Sequence, residues 1–153
     1  MGVGFFSDPM LVPTTKGSKR PLKYRLSDEE LRQYVIWEIA VNSEIIGMSG
    51  TCSAGLSDVA LSAQGKVFPC ICLRIEAGDL RKGSFQDIWN SSSVFHRIRG
   101  LNLHDFEHCA RCDLLNICRR CPGWALDEQG DMLLPPKEAC RVTKMRKEVI
   151  LNE

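Results

Sequence analysis

The chain is organised around one cysteine-rich stretch, which reads Cys109-Ala-Arg-Cys112-Asp-Leu-Leu-Asn-Ile-Cys118-Arg-Arg-Cys121. Four thiols fall within thirteen residues, and so short a backbone keeps their sulfur atoms close together. Crowded thiolates repel one another unless a metal neutralises them, and metal coordination removes the thiol proton outright. The stretch therefore predicts a metal-binding nucleus around which the rest of the chain folds.

The composition is that of an ordinary globular domain. The chain has 153 residues, of which 44% are hydrophobic and 25% are charged, and its formal net charge is +1. So small a net charge gives no broad attraction to nucleic acid or to an anionic membrane. Apolar runs such as Tyr34–Trp37 are far shorter than the ~20 residues of a membrane-spanning helix. We therefore expect no nucleic acid and no membrane as partners.

All eight cysteines lie in the second zone of the chain, after residue 51. They are Cys52, Cys70, Cys72, Cys109, Cys112, Cys118, Cys121 and Cys140. The first residues, Met1 to Asp8, lack the basic region and the apolar stretch of a secretory signal, so we expect a cytoplasmic protein. In that reducing compartment, metal binding explains eight cysteines better than disulfides do.

Local patterns predict an α+β fold. Ser27 and Glu30 form a capping box that opens a helix ending near Asn42. Its apolar positions are numerous enough to predict burial on two sides, with a partner outside this chain as one candidate for the second side. Residues 57–70 have the pattern of a hairpin whose turn contains Gly65. The other predicted elements are a strand at Val3–Phe6, an exposed loop over residues 12–24, short helices at Ser84–Trp89 and Ser93–Arg99, and a final helix after Pro135-Pro136.

Three kinds of cysteine site are compatible with this layout. A zinc ribbon spaces its two Cys-x-x-Cys knuckles by 15–20 residues, whereas five residues separate Cys112 from Cys118, although two separate zinc ions remain an alternative. A disulfide framework fits the even number of cysteines and lacks the secretory context. Iron–sulfur clusters accept cysteines from closely spaced loops together with one remote ligand, which is the arrangement here.

Several motifs, taken in order, resemble the SPASM domain, the C-terminal extension of many radical S-adenosylmethionine (SAM) enzymes. They are Cys52-Ser-Ala-Gly, Gly65-Lys-Val-Phe-Pro-Cys70, Gly83-Ser-Phe-Gln-Asp-Ile-Trp-Asn-Ser-Ser, Cys109-x2-Cys112-x5-Cys118 and the later Cys140. The Asp8-Pro9 loop and Arg25 to Leu31 resemble the end of a radical SAM barrel. The resemblance implies a barrel-like tail over residues 1–51, a SPASM-like domain over 52–146, and a helix end and tail over 147–153.

The resemblance also implies two auxiliary [4Fe–4S] clusters. Cys52, Cys70 and Cys121 would hold the first, with Cys72 as its fourth ligand or as a small buried side chain. The second would be held by Cys109, Cys112, Cys118 and Cys140. The two ligand sets interleave along the chain, so the Arg119-Arg120 spacer must turn the backbone from one cluster to the other. We expect both arginines to point to solvent, and the alternative is that they donate charge to cluster sulfurs or to substrate carboxylates.

The function implied is electron transfer and substrate docking in a radical SAM system that modifies a ribosomally made peptide or protein. Its partners would be a radical SAM core, in the same chain or in a separate protein, and the peptide or protein substrate. The Cys-x3-Cys-x2-Cys triplet that radical SAM enzymes use to cleave SAM does not occur here, so we expect that this chain alone neither binds nor cleaves SAM. No catalytic residue is predicted. The alternative is a stand-alone partner that binds a peptide or a maturase, with structural clusters or zinc.

Overall fold

The computed structural model describes residues 7–41 and 52–151, and over these ranges the fold is α+β, as predicted. The helices are α1 (Asp28–Val41), α2 (Phe85–Ser91), α3 (Ser93–Gly100), α4 (Glu107–Ala110), α5 (Pro122–Gln129) and α6 (Lys137–Leu151). The strands are β1 (Ala60–Leu61), β2 (Lys66–Phe68) and β3 (Gly78–Asp79), and short 3-10 turns cover Arg20–Tyr24, Leu103–Asp105 and Leu115–Ile117. The strand predicted at Val3–Phe6 lies outside the described residues.

The first and last helices form one core of the molecule. The capping box predicted for α1 is present, since Glu30 accepts hydrogen bonds from the Ser27 backbone at 2.8 Å and from its hydroxyl at 2.7 Å. Leu31 and Val35 on α1 are buried against Val142 and Val149 on α6. The final helix predicted after Pro135-Pro136 is therefore present, and its apolar face packs on α1.

Within the described part of the chain one side of α1 is buried, and burial of its second side by a partner stays a prediction. Ile36 and Trp37 are 44% and 41% exposed, whereas Leu31 and Val35 are at most 1% exposed. The side of α1 that carries Leu31 and Val35 is therefore buried, whereas Ile36 and Trp37 on another side are exposed at the surface.

The predicted hairpin is present and is extended by a third strand. β1 and β2 pair antiparallel with Leu61 opposite Val67, and the turn residue Gly65 has a φ of +77°, which glycine adopts without a Cβ clash. β3 pairs antiparallel with β2, giving the order β1-β2-β3. A two-residue strand is too short to show a period in the sequence, so β3 was not predicted.

Helix α5 is a second element that the sequence analysis missed. Pro122 stands in its first turn and Gly130 ends it in the left-handed conformation, with a φ of 78°. Proline at the start and glycine just past the end are typical of a helix, so the sequence contains a pattern that predicts α5. The helix predicted at Ser93–Arg99 is present as α3, which continues one residue further to Gly100, with Leu101 as the cap.

A second apolar core lies beneath the cysteines. It contains the buried residues Ala54, Leu73, Ile98 and Met132, and Cys70 packs against it. Within the described ranges, no helix has the length and the apolar character needed to cross a membrane. The predicted boundaries after residues 51 and 146 stay predictions, since residues 42–51 are not among the residues that the structure describes.

Candidate metal centres

Four cysteines from distant parts of the chain meet in a first group, which consists of Cys52, Cys70, Cys72 and Cys121. The thiols of Cys70 and Cys121 both donate hydrogen bonds to the Cys72 sulfur, and the indole of Trp124 does so as well. Cys52 joins the group through its electrostatic interaction with Cys70. The β2 strand leads into Cys70, and Cys121 caps the start of α5, so the hairpin and α5 together position this group.

The first group contains one thiol that ionises easily and two that do not. The hydrogen bond from Cys121 is the main cause that lowers the pKa of Cys72 to about 6. The same hydrogen bond, followed by burial, raises the pKa of Cys121. Burial raises the pKa of Cys52, although that residue as a whole remains exposed. The interaction of Cys72 with Cys121 and Cys70 places Cys72 beside the other thiols of the first group.

The remaining four cysteines form a second group. Cys140, on the first turns of α6, interacts electrostatically with Cys118, Cys109 and Cys112. Burial is the main cause that raises the pKa of both Cys118 and Cys140, and the neighbouring thiols raise it further. Mutual repulsion of this kind disappears when a metal neutralises the thiolates. The four thiols of the second group therefore lie in one electrostatic neighbourhood.

Electrostatic interactions thus link the thiols within each of the two sets of four that the sequence analysis assigned to two clusters. Their role as ligands stays a prediction. Among residues 7–41 and 52–151, no three cysteine, histidine or carboxylate side chains converge closely enough to share a single metal ion.

Arg120 lies between the two groups and is half-buried, with its side chain anchored on other segments, so the expectation that it points to solvent is wrong. Its Nη2 donates to the carbonyl oxygens of Met132 at 2.6 Å and Leu134 at 3.3 Å. Its guanidinium carbon lies 3.7 Å from the centre of the Phe106 ring, within the range of a cation–π contact. Packing in the tertiary structure, which the sequence does not reveal, fixes this side chain.

Arg119 is also held inside the molecule, through a charge network on α1 and α6. Glu38 and Arg146 are 1% and 3% exposed, and Arg146 donates to both oxygens of the Glu38 carboxylate at 2.9 Å. Arg119 Nη1 lies 3.7 Å from the same carboxylate. The bidentate pair is a strong geometry for buried charges, and it fastens the second cysteine group to α1.

Two buried donors beside the cysteines lack acceptors. The Nε atoms of Arg119 and Arg120 are buried and have no hydrogen-bond partner among the described residues. A buried unpaired donor is costly, and an iron–sulfur cluster held by thiolates is an anion whose sulfur atoms accept hydrogen bonds. The two groups of cysteines would supply the thiolate ligands of such clusters. The neighbouring arginines would supply the positive charge and the N–H donors that an anionic cluster accepts.

A cavity of about 120 Å³ separates the two groups. Cys52 of the first group and Cys118 of the second both line it, together with Arg120, Phe106 and Leu103. The sequence analysis missed this cavity because its walls come from segments far apart in the chain. His96, His104 and His108 are exposed.

Residues 52–122 match the family model of SPASM, described as an iron–sulfur cluster-binding domain. Three similar curated proteins are each named AdoMet-dependent heme synthase. The protein from Methanosarcina barkeri is 30% identical over 123 residues, which cover 77% of this chain and 34% of that protein. Those from Oleidesulfovibrio alaskensis and Nitratidesulfovibrio vulgaris are 26% and 25% identical, over 69% and 76% of this chain and 27% and 31% of theirs.

The chain thus spans about a third of the length of the curated relatives that it matches. No solved structure matches it at a comparable level of significance.

Proposed function

Because residues 52–122 belong to the SPASM family of iron–sulfur cluster-binding domains, we propose that this chain binds two [4Fe–4S] clusters and transfers electrons for a radical SAM catalytic unit. The first cluster is held by Cys52, Cys70, Cys72 and Cys121. The second is held by Cys109, Cys112, Cys118 and Cys140. When bound, the clusters supply one-electron chemistry that no side chain of this protein supplies.

The observation that carries this proposal is the separation of eight thiols into two neighbourhoods of four, with two buried arginine donors between them. The protein's part is to hold each sulfur in place and to exclude water. The second apolar core packs under Cys70, and α6 carries Cys140 to the loop that contains Cys109, Cys112 and Cys118. These contacts connect the second apolar core and the last helix to the cysteines, so cluster loading and folding are coupled.

The substrate of the complete system is a further part of the proposal. The relatives are named AdoMet-dependent heme synthases, and we therefore place this chain in AdoMet-dependent heme synthesis or a related conversion of a tetrapyrrole. The catalytic unit that cleaves SAM is a radical SAM core, either upstream in the same polypeptide or in a partner protein.

A peptide or protein substrate is the second candidate, and one observation favours it. β1 is an outer strand of the sheet, and its residue Leu61 and the preceding Val59 are 56% and 38% exposed. An exposed strand edge can accept an extended peptide as an additional strand.

Metal analysis of protein purified without oxygen tests the central proposal. We expect a brown protein with about eight iron and eight sulfide per chain, since each [4Fe–4S] cluster contains four of each. Stoichiometric zinc without sulfide would refute the proposal and would support the alternative of a zinc-stabilised partner protein. Four iron and four sulfide per chain, unchanged by improved reconstitution, would limit the proposal to one cluster.

A further inference from the structure

Arg120 is a cation without a carboxylate partner at the boundary between the two cysteine groups. Arg119 and Arg146 both face Glu38, whereas Arg99, which lines the same cavity, is held by the carbonyl groups of Gly55 and Trp89. Within the described ranges no carboxylate pairs with Arg120, and its anchors are the neutral carbonyl groups of Met132 and Leu134. Carbonyl groups fix a guanidinium in place but do not neutralise it.

The position of Arg120 is rigid. Two carbonyl oxygens hold Nη2, and the Phe106 ring lies under the guanidinium plane at 3.7 Å. The Nε atom is buried and has no acceptor. The side chain lines the cavity that Cys52 and Cys118 also line, and it acts electrostatically on the Cys52 thiol. A fixed positive charge with a spare N–H donor therefore faces the side of the first group on which Cys52 stands.

We propose that Arg120 is a potential-setting residue, whose guanidinium compensates the charge of the first cluster and donates its Nε–H to a cluster sulfur. The proposal rests on the proposed function, because it requires the clusters to be bound. One-electron reduction adds a negative charge to a cluster, and a fixed cation stabilises the reduced form more than the oxidised form. Arg120 thus raises the potential of the first cluster and makes it the better acceptor of the two.

The charges around the two clusters differ, and this difference determines which cluster an electron favours. The charge network near the second group contains Glu38 and the carboxyl of Asp8, which act on Arg119 and Arg146. The positive charge there is largely compensated within the protein, whereas that of Arg120 is not. An electron shared between the two clusters therefore favours the first.

The test is a potentiometric titration of the cluster-loaded full chain with dithionite, followed by electron paramagnetic resonance. In R120Q we expect the reduced-to-oxidised ratio of one spectral component to fall about tenfold at a given potential, which is a shift of about 59 mV for one electron. R120K keeps the charge and loses the Nε–H, so its shift should be smaller. R97Q is the matched control, because Arg97 lies on the exposed side of α3 and does not line the cavity.

A second measurement detects the Arg120 nitrogen directly, with variants that keep the positive charge of the side chain. The wild-type protein is labelled with ¹⁵N at the arginine side chains, reduced, and measured by pulsed electron paramagnetic resonance. We expect a hyperfine coupling between a guanidinium nitrogen and the first cluster. R120K should lose this coupling, whereas R119K should retain it. If R120Q loads no iron, R120K and the labelled protein still decide the question.

Unchanged midpoint potentials in loaded R120Q and R120K, or a nitrogen coupling that survives in R120K, would overturn the inference and leave the cluster proposal intact. Equal shifts in R120Q and R97Q would also overturn it, since they would report net charge alone. Failure of the wild-type protein to hold iron and sulfide would instead defeat the proposed function.

Discussion

Cys118 and Cys121 are only three positions apart, yet their thiols lie in different groups. The two intervening arginines anchor in opposite directions, Arg119 toward Glu38 and Arg120 toward Met132 and Leu134. These anchors turn the backbone at the point where it passes from one candidate centre to the other. At the scale of single residues, the chemistry thus depends on side chains between the ligands as much as on the ligands.

Single cysteine substitutions test which sulfurs share a cluster. Loss of one thiolate leaves an iron without its anionic ligand and makes that cluster labile. We expect Cys140→Ala to lose the second cluster and Cys70→Ala to lose the first, each variant retaining about four iron per chain. Mössbauer spectra of the two variants should therefore lack different components. Loss of the same component in both would show that the interleaved assignment is wrong.

Gly123 gives a second test, because it packs directly on the backbone beside a candidate ligand. A Cβ at this position would lie 2.3 Å from the carbonyl oxygen of Cys72 and 2.9 Å from the Leu73 nitrogen. Backbone atoms cannot rotate away, so Gly123→Ala should push α5 off the first group and cost about 1–3 kcal/mol, the usual range for overpacking. Urea unfolding and iron content measure the two effects.

Gly100→Ala is the matched control for this substitution. Gly100 is also helical, and nothing lies within 4 Å of its added Cβ. We expect it to be neutral or slightly stabilising, because alanine favours a helix more than glycine does. Equal destabilisation by both substitutions would show that the contact with Cys72 has no special role.

At the scale of elements, the small sheet has one edge that faces outward with apolar side chains. β2 is the centre of the sheet and β1 ends it on one side. Val59, Leu61 and Leu56 are exposed near this edge. Such an edge invites either a substrate strand or a neighbouring protein.

Amide exchange tests the docking of a peptide on this edge. An extended probe peptide of alternating valine and threonine should protect residues 57–62, because a new strand would hydrogen-bond to β1. The same peptide methylated at alternate backbone nitrogens is the control, since it cannot complete the ladder. Equal protection by both peptides, or protection confined to α6, would exclude strand addition and remove the support for a peptide substrate.

At the scale of the whole molecule, a buried ion pair joins the first helix to the last. Glu38 and Arg146 are 108 positions apart and are among the most buried charged residues of the described chain. The pair lies beside the apolar contacts of Leu31 and Val35 with Val142, and it leads on to Arg119 at the second cysteine group. The packing of α1 on α6 and the geometry of that group are therefore coupled.

Removal of the Glu38 carboxylate should weaken both the packing of α1 on α6 and the second cysteine group. Glu38→Gln leaves Arg146 without a counter-ion in a buried site, and breaking such a pair costs about 3–5 kcal/mol. We expect a lower midpoint in urea and faster loss of the second cluster, followed through its visible absorbance. Glu29→Gln, on the exposed side of the same helix, should change neither quantity. A Glu38→Gln protein as stable as the wild type would show that α1 is held by apolar contacts alone.

The sequence by itself determined the local features of this protein. A capping box at Ser27 and Glu30, a turn glycine at Gly65 and a dense run of cysteines act over a few residues, so their consequences follow from spacing and backbone chemistry. The order of the cysteine motifs sufficed for the SPASM resemblance, and the match over residues 52–122 confirms it. Helix α5 could also have been predicted, from Pro122 and Gly130.

Only the tertiary structure decided what happens to the charges and where the sulfur atoms meet. Arg119 and Arg120 look like solvated loop residues in the sequence, and they are half-buried because Glu38, Phe106 and Met132 approach them from distant segments. No local pattern encodes such contacts, since burial of a charge depends on partners that chain folding brings together. The same long-range packing brings Cys140 on α6 to a group whose other members precede it by more than twenty positions.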